Sequence, residues 1–263
     1  AYEYSGDLFN AEDNYRKALD LAKFDRDKYY NRLGFFLSGK GKHEIAIEFL
    51  KKAIELNEEP TYFENLGFSL EKLGDIEEAE KNYRKALELS INQKDIYLNR
   101  LGIFYYNQKN YDEAIYYYQK AIGLFPKAVY YENIGNAYLD SGDFKEFEEN
   151  FLKAAELAPN EGKYYFQLGW RVFDQFKDTI KSKFYLKKAI EIFKITPEIE
   201  PEELMSIQFL GAAYQHEGNL EKAEEIFTEA YEIDPHNDLI CNFLGKVNLD
   251  KKNFDKALEY YQK

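Results

Sequence analysis

Residues 61–94 read TYFENLGFSLEKLGDIEEAEKNYRKALELSINQK, and this stretch decides the fold. Gly67 follows a leucine in its first apolar segment, Ala79 comes twelve residues later, and Tyr83 and Ala86 follow Ala79 at four and seven residues. A glycine inside a helix costs about 1 kcal/mol relative to alanine, so it needs a packing reason. The stretch therefore predicts a helical hairpin whose two helices cross closely at the glycine, with the large residue filling the space between small ones.

The same spacing recurs along the whole chain. Seven Leu-Gly or Ile-Gly pairs recur at nearly the repeat length, and their glycines are separated by 33, 35, 33, 34, 42 and 34 residues. These glycines are Gly34, Gly67, Gly102, Gly135, Gly169, Gly211 and Gly245. A fixed period in this range indicates a repeat protein, in which each unit packs on its neighbours.

The spacing resembles the tetratricopeptide repeat, a 34-residue helical hairpin. The resemblance implies an all-α fold, namely a right-handed superhelical solenoid of antiparallel helix pairs. It divides a single array over residues 1–263 into a partial repeat 1–24, complete repeats 27–60, 61–94, 95–127, 128–161, 162–202 and 203–236, and a truncated repeat 237–263. The first helix of each later unit is expected at about 27–40, 61–73, 95–108, 128–141, 162–176, 203–217 and 237–251.

Two units depart from the pattern. Phe147 stands where the fourth complete unit should have a small residue, and Ser182 replaces the expected alanine of the fifth. Fitting Leu186 to the pattern requires one inserted residue. Residues 195–202 contain two prolines and are expected to form the most exposed and most easily cleaved connection. This connection is either a simple loop insertion or a change in curvature that shapes a binding site.

The charge balance restricts the class of partner. The chain has 35 basic and 48 acidic side chains and a net charge of −13, which disfavours nucleic acid and anionic membranes and favours a basic or apolar protein segment. The alternative is that the acidic excess only keeps the surface soluble. No apolar run is long enough to span a membrane. The single cysteine fits a reducing compartment, so a cytoplasmic location is expected, and the start at Ala1 without methionine suggests a piece of a longer protein.

The sequence offers no recognisable catalytic or metal site. His43, His216 and His236 occupy different positions of the repeat, so they do not predict a metal cluster. Cys241 takes a packing position and is expected to be a buried, inert thiol. Phosphate-binding loops, nucleophile elbows and zinc-binding helix motifs are absent from the sequence. We therefore expect neither enzymatic activity nor a cofactor.

The resemblance also implies a binding surface, because first helices line the inner, concave face of such arrays. The residues one after and three before each glycine, with others farther along the first helices, are expected to point into this groove. The candidate peptide-binding residues are Asn31, Phe35, Phe68, Asn99, Ile103, Tyr106, Asn136, Phe166, Trp170 and Phe173. An apolar and aromatic exposed face is typical of an interaction site. The alternative is that some of these aromatic residues pack between neighbouring repeats.

Two further patterns of the family bear on the ligand. Asn31, Asn65, Asn99 and Asn133 recur every 34 residues, as in asparagine ladders that hold extended peptides, but they alternate between two positions, so only some can face one ligand. The family's two-carboxylate clamp for chaperone C-termini is matched here only by Asn65 and Arg100. A clamp of that kind is not expected.

Three functions fit these features. The first is a protein-interaction scaffold that binds a peptide or protein segment in its groove. The second is the regulatory or sensory arm of a larger multidomain protein. The third is head-to-tail self-association through open repeat ends.

Overall fold

The protein is described by a computed structural model that covers residues 8–193 and 201–263. Within these residues every regular element is helical, which confirms the all-α class. The α-helices in this part of the chain are α1 (Leu8–Leu21), α2 (Arg26–Gly39), α3 (His43–Leu56), α4 (Pro60–Leu73), α5 (Ile76–Leu89), α6 (Lys94–Asn107), α7 (Tyr111–Leu124), α8 (Ala128–Ser141), α9 (Phe144–Leu157), α10 (Lys163–Arg171), α11 (Thr179–Phe193), α12 (Pro201–His216), α13 (Leu220–Ile233), α14 (Asp238–Asp250) and α15 (Phe254–Tyr261).

The helices pair as hairpins. Each even-numbered helix from α2 to α14 packs on the odd-numbered helix that follows it, so we call the even-numbered members first helices and the odd-numbered members second helices. The first helices begin and end within about two residues of the positions predicted from the glycine spacing, apart from α10, which continues as a helix of another type. Contacts divide the chain into two larger parts. We call residues 1–126 the N-terminal unit and residues 127–263 the C-terminal unit.

Four of the turns inside hairpins share one chemical pattern, in which a residue with positive φ is followed by an Asp or Asn that caps the second helix. Gly74 ends α4 with a φ of 83°, a left-handed conformation that costs glycine little. The next residue, Asp75, is the N-cap of α5 and accepts a hydrogen bond from the backbone N–H of Glu78 at 3.4 Å. In the turn between α6 and α7, Lys109 takes the left-handed conformation and Asn110 is the cap.

The glycines of the repeat lie where two helices touch. A Cβ atom added to Gly102 would lie 2.5 Å from the ring of Tyr118, a fully buried side chain of α7. The other six glycines face the large residue at the same place in their own hairpin: Leu50, Tyr83, Phe151, Leu186, Phe227 and Tyr261. The hairpins therefore hold together through the close crossing that the sequence predicts.

Two of the second helices, α9 and α11, carry another residue at the position where the repeat has a buried alanine. Phe147 is fully buried on α9, where its ring lies 5.4 Å from that of Phe144 and 4.7 Å from that of Phe151. Ser182 is also fully buried, on α11, and its hydroxyl oxygen has no hydrogen-bond partner in the described part of the chain. One substitution thus fills space and the other leaves a polar group unpaired, which costs stability.

The inserted residue of the fifth unit lies in its first helix. Residues Val172–Phe176 form a π-helical turn directly after α10, and Lys177 ends it with a φ of 53°. A π-turn adds one residue without breaking the helix. Gly169 still faces Leu186, with a distance of 2.6 Å from an added Cβ to Cγ, so the hairpin keeps its packing.

The predicted proline-rich connection can be followed only in part, because residues 194–200 lie outside the described residues. Pro201 and Glu202 form the start of α12, although the sequence analysis assigned them to an exposed linker. Proline suits the first turn of a helix, where its missing N–H is not needed.

Candidate functional site

Polar bonds join neighbouring first helices in the N-terminal unit. Asn65 Nδ2 on α4 donates a hydrogen bond to Asn31 Oδ1 on α2 at 2.8 Å. Arg100 Nε on α6 donates to Glu64 Oε1 on α4 at 2.6 Å. These bonds show which sides of α2, α4 and α6 lie next to one another.

One turn farther along each helix stands an apolar residue. Phe35 follows Asn31 by four residues, Phe68 follows Asn65 by three, and Ile103 follows Arg100 by three, so each shares a face with the polar residue before it. Phe35 is 61% exposed, whereas Phe68 and Ile103 are half-buried. We call the surface formed by Asn31, Phe35, Asn65, Phe68 and Ile103 the N-terminal face.

The two bonded asparagines keep part of their hydrogen-bonding capacity. An amide side chain has one C=O and two N–H groups, and the bond between Asn65 and Asn31 uses one N–H of the first and the C=O of the second. The C=O of Asn65 and the N–H groups of Asn31 remain on two half-buried side chains. Asn31 and Asn65 are therefore bonded to each other and still have one C=O group and N–H groups for further hydrogen bonds.

The surroundings of this face carry cations. Lys72 Nζ lies 5.3 Å above the ring of Phe68, and Arg32 is exposed one turn before Phe35.

Glu71, on the same helix as Lys72, accepts hydrogen bonds from Tyr83 and from Asn107 of α6, both at 2.8 Å. Burial raises the pKa of the Tyr83 phenol, and the charge of the Glu71 carboxylate adds to this effect.

The remaining candidates of this unit lie on α6. Asn99 and Tyr106 on α6 are half-buried. The ring of Tyr106 lies 5.8 Å from that of Tyr111, at the start of α7, so this side chain covers the turn of its own hairpin. Asn65 and Arg100, which match the family's carboxylate clamp, already bond to side chains of this chain.

In the C-terminal unit the predicted aromatic run is largely part of the core. Phe166 is only 6% exposed, and its ring lies 6.4 Å from Trp170 and 6.2 Å from Phe209 of α12. Trp170 is half-buried against the same Phe209 ring. The expectation that Phe166 lines an open groove is wrong, because the neighbouring first helix covers it. Replacing Trp170 would remove core contacts and would not isolate a binding effect.

The C-terminal unit contains two other candidate peptide-binding residues, Phe173 and Asn136. Phe173 lies in the π-helical turn, half-buried, with its ring 6.0 Å from that of His216. Asn136 is half-buried on α8. Gln167 Nε2 on α10 donates to Glu132 on α8 at 3.2 Å, so polar bonds between first helices occur in this unit as well.

These polar bonds and the role of Phe209 were not predicted from the sequence. The bonded pairs are separated by 34 to 36 residues, one repeat length, so a search for complementary polar residues at that separation could have found them. Phe209 replaces the polar residue that several other first helices carry two residues before the glycine, which marks it as a contact to α10.

Other kinds of site find little support in the described residues. Residues 8–193 and 201–263 contain no group of three His, Cys, Asp or Glu side chains arranged to hold a metal ion. Cys241 is buried, as expected for a structural thiol. Of the helices listed above with their bounds, none combines the length and apolar character needed to cross a membrane.

Comparison with known proteins agrees with the architecture. Models of the tetratricopeptide repeat match residues 27–60, 58–127, 128–161 and 214–263. Over 74 residues, or 27% of this chain, the sequence is 38% identical to the mitochondrial import receptor subunit TOM70 of Saccharomyces cerevisiae. That match covers 12% of the length of the receptor subunit.

Two solved structures share the fold over most of the chain. The C-terminal part of a repeat-containing protein from Cytophaga hutchinsonii has a TM-score of 0.70 at 22% identity, covering 93% of this chain and 99% of that one. Yeast Tom70 has a TM-score of 0.64 at 20% identity, covering 97% of this chain and 54% of that one. The spacing, the hairpins and the matched models lead to one conclusion: the chain belongs to the tetratricopeptide repeat family.

Proposed function

We propose that this chain is a protein-interaction scaffold and that its N-terminal face receives an apolar segment of a partner polypeptide. The observation that carries the proposal is Phe35, a large aromatic side chain that is 61% exposed in the middle of α2. Phe68 and Ile103 follow it on the two next first helices. An exposed aromatic residue with half-buried apolar side chains on the neighbouring first helices is typical of interaction sites.

The asparagine pair supports a polypeptide as the ligand. A peptide unit offers one N–H and one C=O, and the remaining C=O of Asn65 and N–H groups of Asn31 complement both. Hydrogen bonds to the backbone would hold a segment in place without reading its sequence, while the apolar residues one turn away would select its side chains.

Charge on the face favours an apolar guest over a basic one. The net charge of −13 attracts basic segments from a distance. Close to Phe35, however, the exposed Arg32 would repel a second cation, and Lys72 has the same effect beside Phe68. The bound stretch itself is therefore apolar, and any basic residues of the partner lie outside it.

The similarity to an import receptor subunit is compatible with this role. That protein is by name a subunit of a mitochondrial import receptor, and a receptor is a protein that binds a partner. Because the matched part is short, the similarity suggests the class of ligand and not its identity.

The test starts from peptides selected from a random library against the whole chain. Phe35→Ala should weaken binding of the selected peptides about tenfold or more, because aromatic residues at the centre of an interface often contribute about 2 kcal/mol. Titration calorimetry measures the effect. The matched control is Phe24→Ala, since Phe24 is 82% exposed in the connection before α2 and lies outside the N-terminal face.

Phe35→Ala and Phe24→Ala should differ in peptide affinity but not in stability. Both phenylalanines are exposed, so both variants should keep the helical content and the melting temperature of the parent chain. Equal affinities of parent and Phe35→Ala, or an equal loss with Phe24→Ala, would contradict the proposed face.

A further inference from the structure

The side of α11 that faces solvent at Ile180 and Phe184, here called its outer side, differs from the corresponding side of the other second helices. Ile180 is 77% exposed and Phe184 is 54% exposed. They are four residues apart, so they lie one above the other on the same face of the helix. Exposing two large apolar side chains on one face is unfavourable in water unless a partner covers them.

The repeat provides an internal reference for these two positions. Ile180 and Phe184 stand two residues before and two residues after Ser182, which takes the small, buried position of its hairpin. Two residues before that position, the other second helices from α3 onward carry Glu44, Glu77, Asp112, Lys145, Glu221 and Asp255. Two residues after it they carry Glu48, Lys81, Tyr116, Glu149, Glu225 and Glu259. Only α11 has apolar residues at both places, so the change is specific to this helix.

The same helix is basic in an acidic chain. Its lysines are Lys181, Lys183, Lys187 and Lys188, against the single acidic residue Glu191. Lys181 and Lys183 form ion pairs with Glu148 and Glu217.

Lys188 and Lys187 contact aromatic rings instead. Lys188 Nζ lies 4.7 Å from the ring centre of Phe184 and 5.0 Å from that of Tyr165, and Lys187 Nζ lies 5.7 Å from that of Tyr214. Within the described residues neither has a carboxylate partner. The Lys188 ammonium group, which has no carboxylate partner in the described residues, therefore lies beside the exposed ring of Phe184.

We propose that the outer side of α11, formed by Ile180, Phe184 and Lys188, is a second interaction surface that binds an acidic amphipathic segment of another protein. The apolar side chains of such a segment would cover Ile180 and Phe184. Its carboxylates would pair with Lys188 and, at longer range, with Lys187.

Acidic residues elsewhere on the chain make α11 the preferred binding site for an acidic segment. The outer side of α13 carries Glu221, Glu225, Glu229 and Glu232, which repel an acidic segment. An acidic partner is thus directed to α11, whereas the N-terminal face on α2, α4 and α6 takes an uncharged one. The two surfaces lie on different helices and serve ligands of different charge, so either can exist without the other.

Two labelled peptides probe the surface on the whole chain. One is a helical peptide of Glu, Leu and Phe with an apolar stripe, and the other has Lys in place of each Glu. Fluorescence anisotropy should show tighter binding of the acidic peptide than of the basic one. Phe184→Ala should weaken binding of the acidic peptide about tenfold, and Lys188→Glu should also weaken it and reduce its dependence on salt.

Matched controls separate this surface from the rest of the chain. Tyr116→Ala removes an exposed aromatic residue from the equivalent position of α7, where Lys120 lies over the ring at 4.2 Å, and should leave affinity unchanged. Phe35→Ala should also leave it unchanged, which distinguishes this site from the N-terminal face.

Several results would overturn the proposal. These are equal binding of both peptides, unchanged affinity in Phe184→Ala, and an equal loss in Tyr116→Ala. Binding of anionic vesicles through Phe184 without binding of the acidic peptide would assign the surface to lipid. A mass that grows with concentration and is restored to the monomer by Phe184→Ala would assign it to a second copy of the chain.

Discussion

Gly102→Leu should lower the melting temperature of the chain by roughly 5–10 °C, because forcing a side chain into a well-packed crossing costs about 1–3 kcal/mol or more. Even the first atom of the new side chain would lie 2.5 Å from the ring of Tyr118. That ring is fully buried, so any shift of the ring would disturb the packing around it. Thermal unfolding followed by circular dichroism measures the change.

Gly123→Ala is the matched control for this variant. Gly123 is also inside a helix, α7, but an added Cβ would meet no atom within 4 Å. Alanine should stabilise the helix there by up to about 1 kcal/mol. A similar melting temperature for Gly102→Leu and the parent chain would contradict the close crossing on which the whole array rests.

Phe147→Ala should destabilise the C-terminal unit by about 3–5 kcal/mol, the usual range for removing a buried aromatic ring. The prediction is informative because alanine is the residue that most other second helices carry at this position. Judged by the repeat pattern alone, the change restores the common residue and should stabilise. The structure gives the opposite sign, since Phe147 is fully buried between Phe144 and Phe151 and its loss leaves a cavity.

Ser182→Ala provides the comparison at the same position of another hairpin. Its buried hydroxyl lacks a hydrogen-bond partner in the described residues, so removing it should raise stability by about 1 kcal/mol. Chemical denaturation of both variants measures the two effects. If Phe147→Ala were neutral or stabilising, the packing described around α9 would be wrong.

The fold was predictable because its determinants are local and repeated. A glycine such as Gly67 inside an apolar segment has few explanations, and seven occurrences at nearly one spacing leave helical hairpins as the simplest. The caps were predictable for the same reason, since Gly74 and Asp75 satisfy the chemistry of a helix end within two adjacent residues. Both signals depend on neighbours along the chain and need no knowledge of distant contacts.

The site was less predictable because exposure depends on contacts between hairpins. Phe35 and Phe166 both lie on first helices and both fit the pattern of a groove residue. Phe35 is open, whereas Phe166 is covered by Phe209, which lies 43 residues farther along the chain. The π-helical turn could not be predicted from the sequence either. The spacing indicated one extra residue, but only the backbone geometry shows that this residue is accommodated in Val172–Phe176.

Two surfaces of different charge would let one chain bind two partners. Repeat arrays gain stability from contacts between successive hairpins, which leaves the outer side chains free to vary from unit to unit. Ile180 and Phe184 are an example, because they replace charged residues without changing the contact between Gly169 and Leu186.

The most direct test of the proposed function is to locate the bound peptide. A selected peptide carrying a photoreactive side chain can be cross-linked to the whole chain, and mass spectrometry then identifies the residues joined to it. We expect cross-links within α2, α4 and α6, concentrated near Phe35 and Phe68. Cross-links found only in second helices such as α3, α5 and α7 would contradict binding at the N-terminal face.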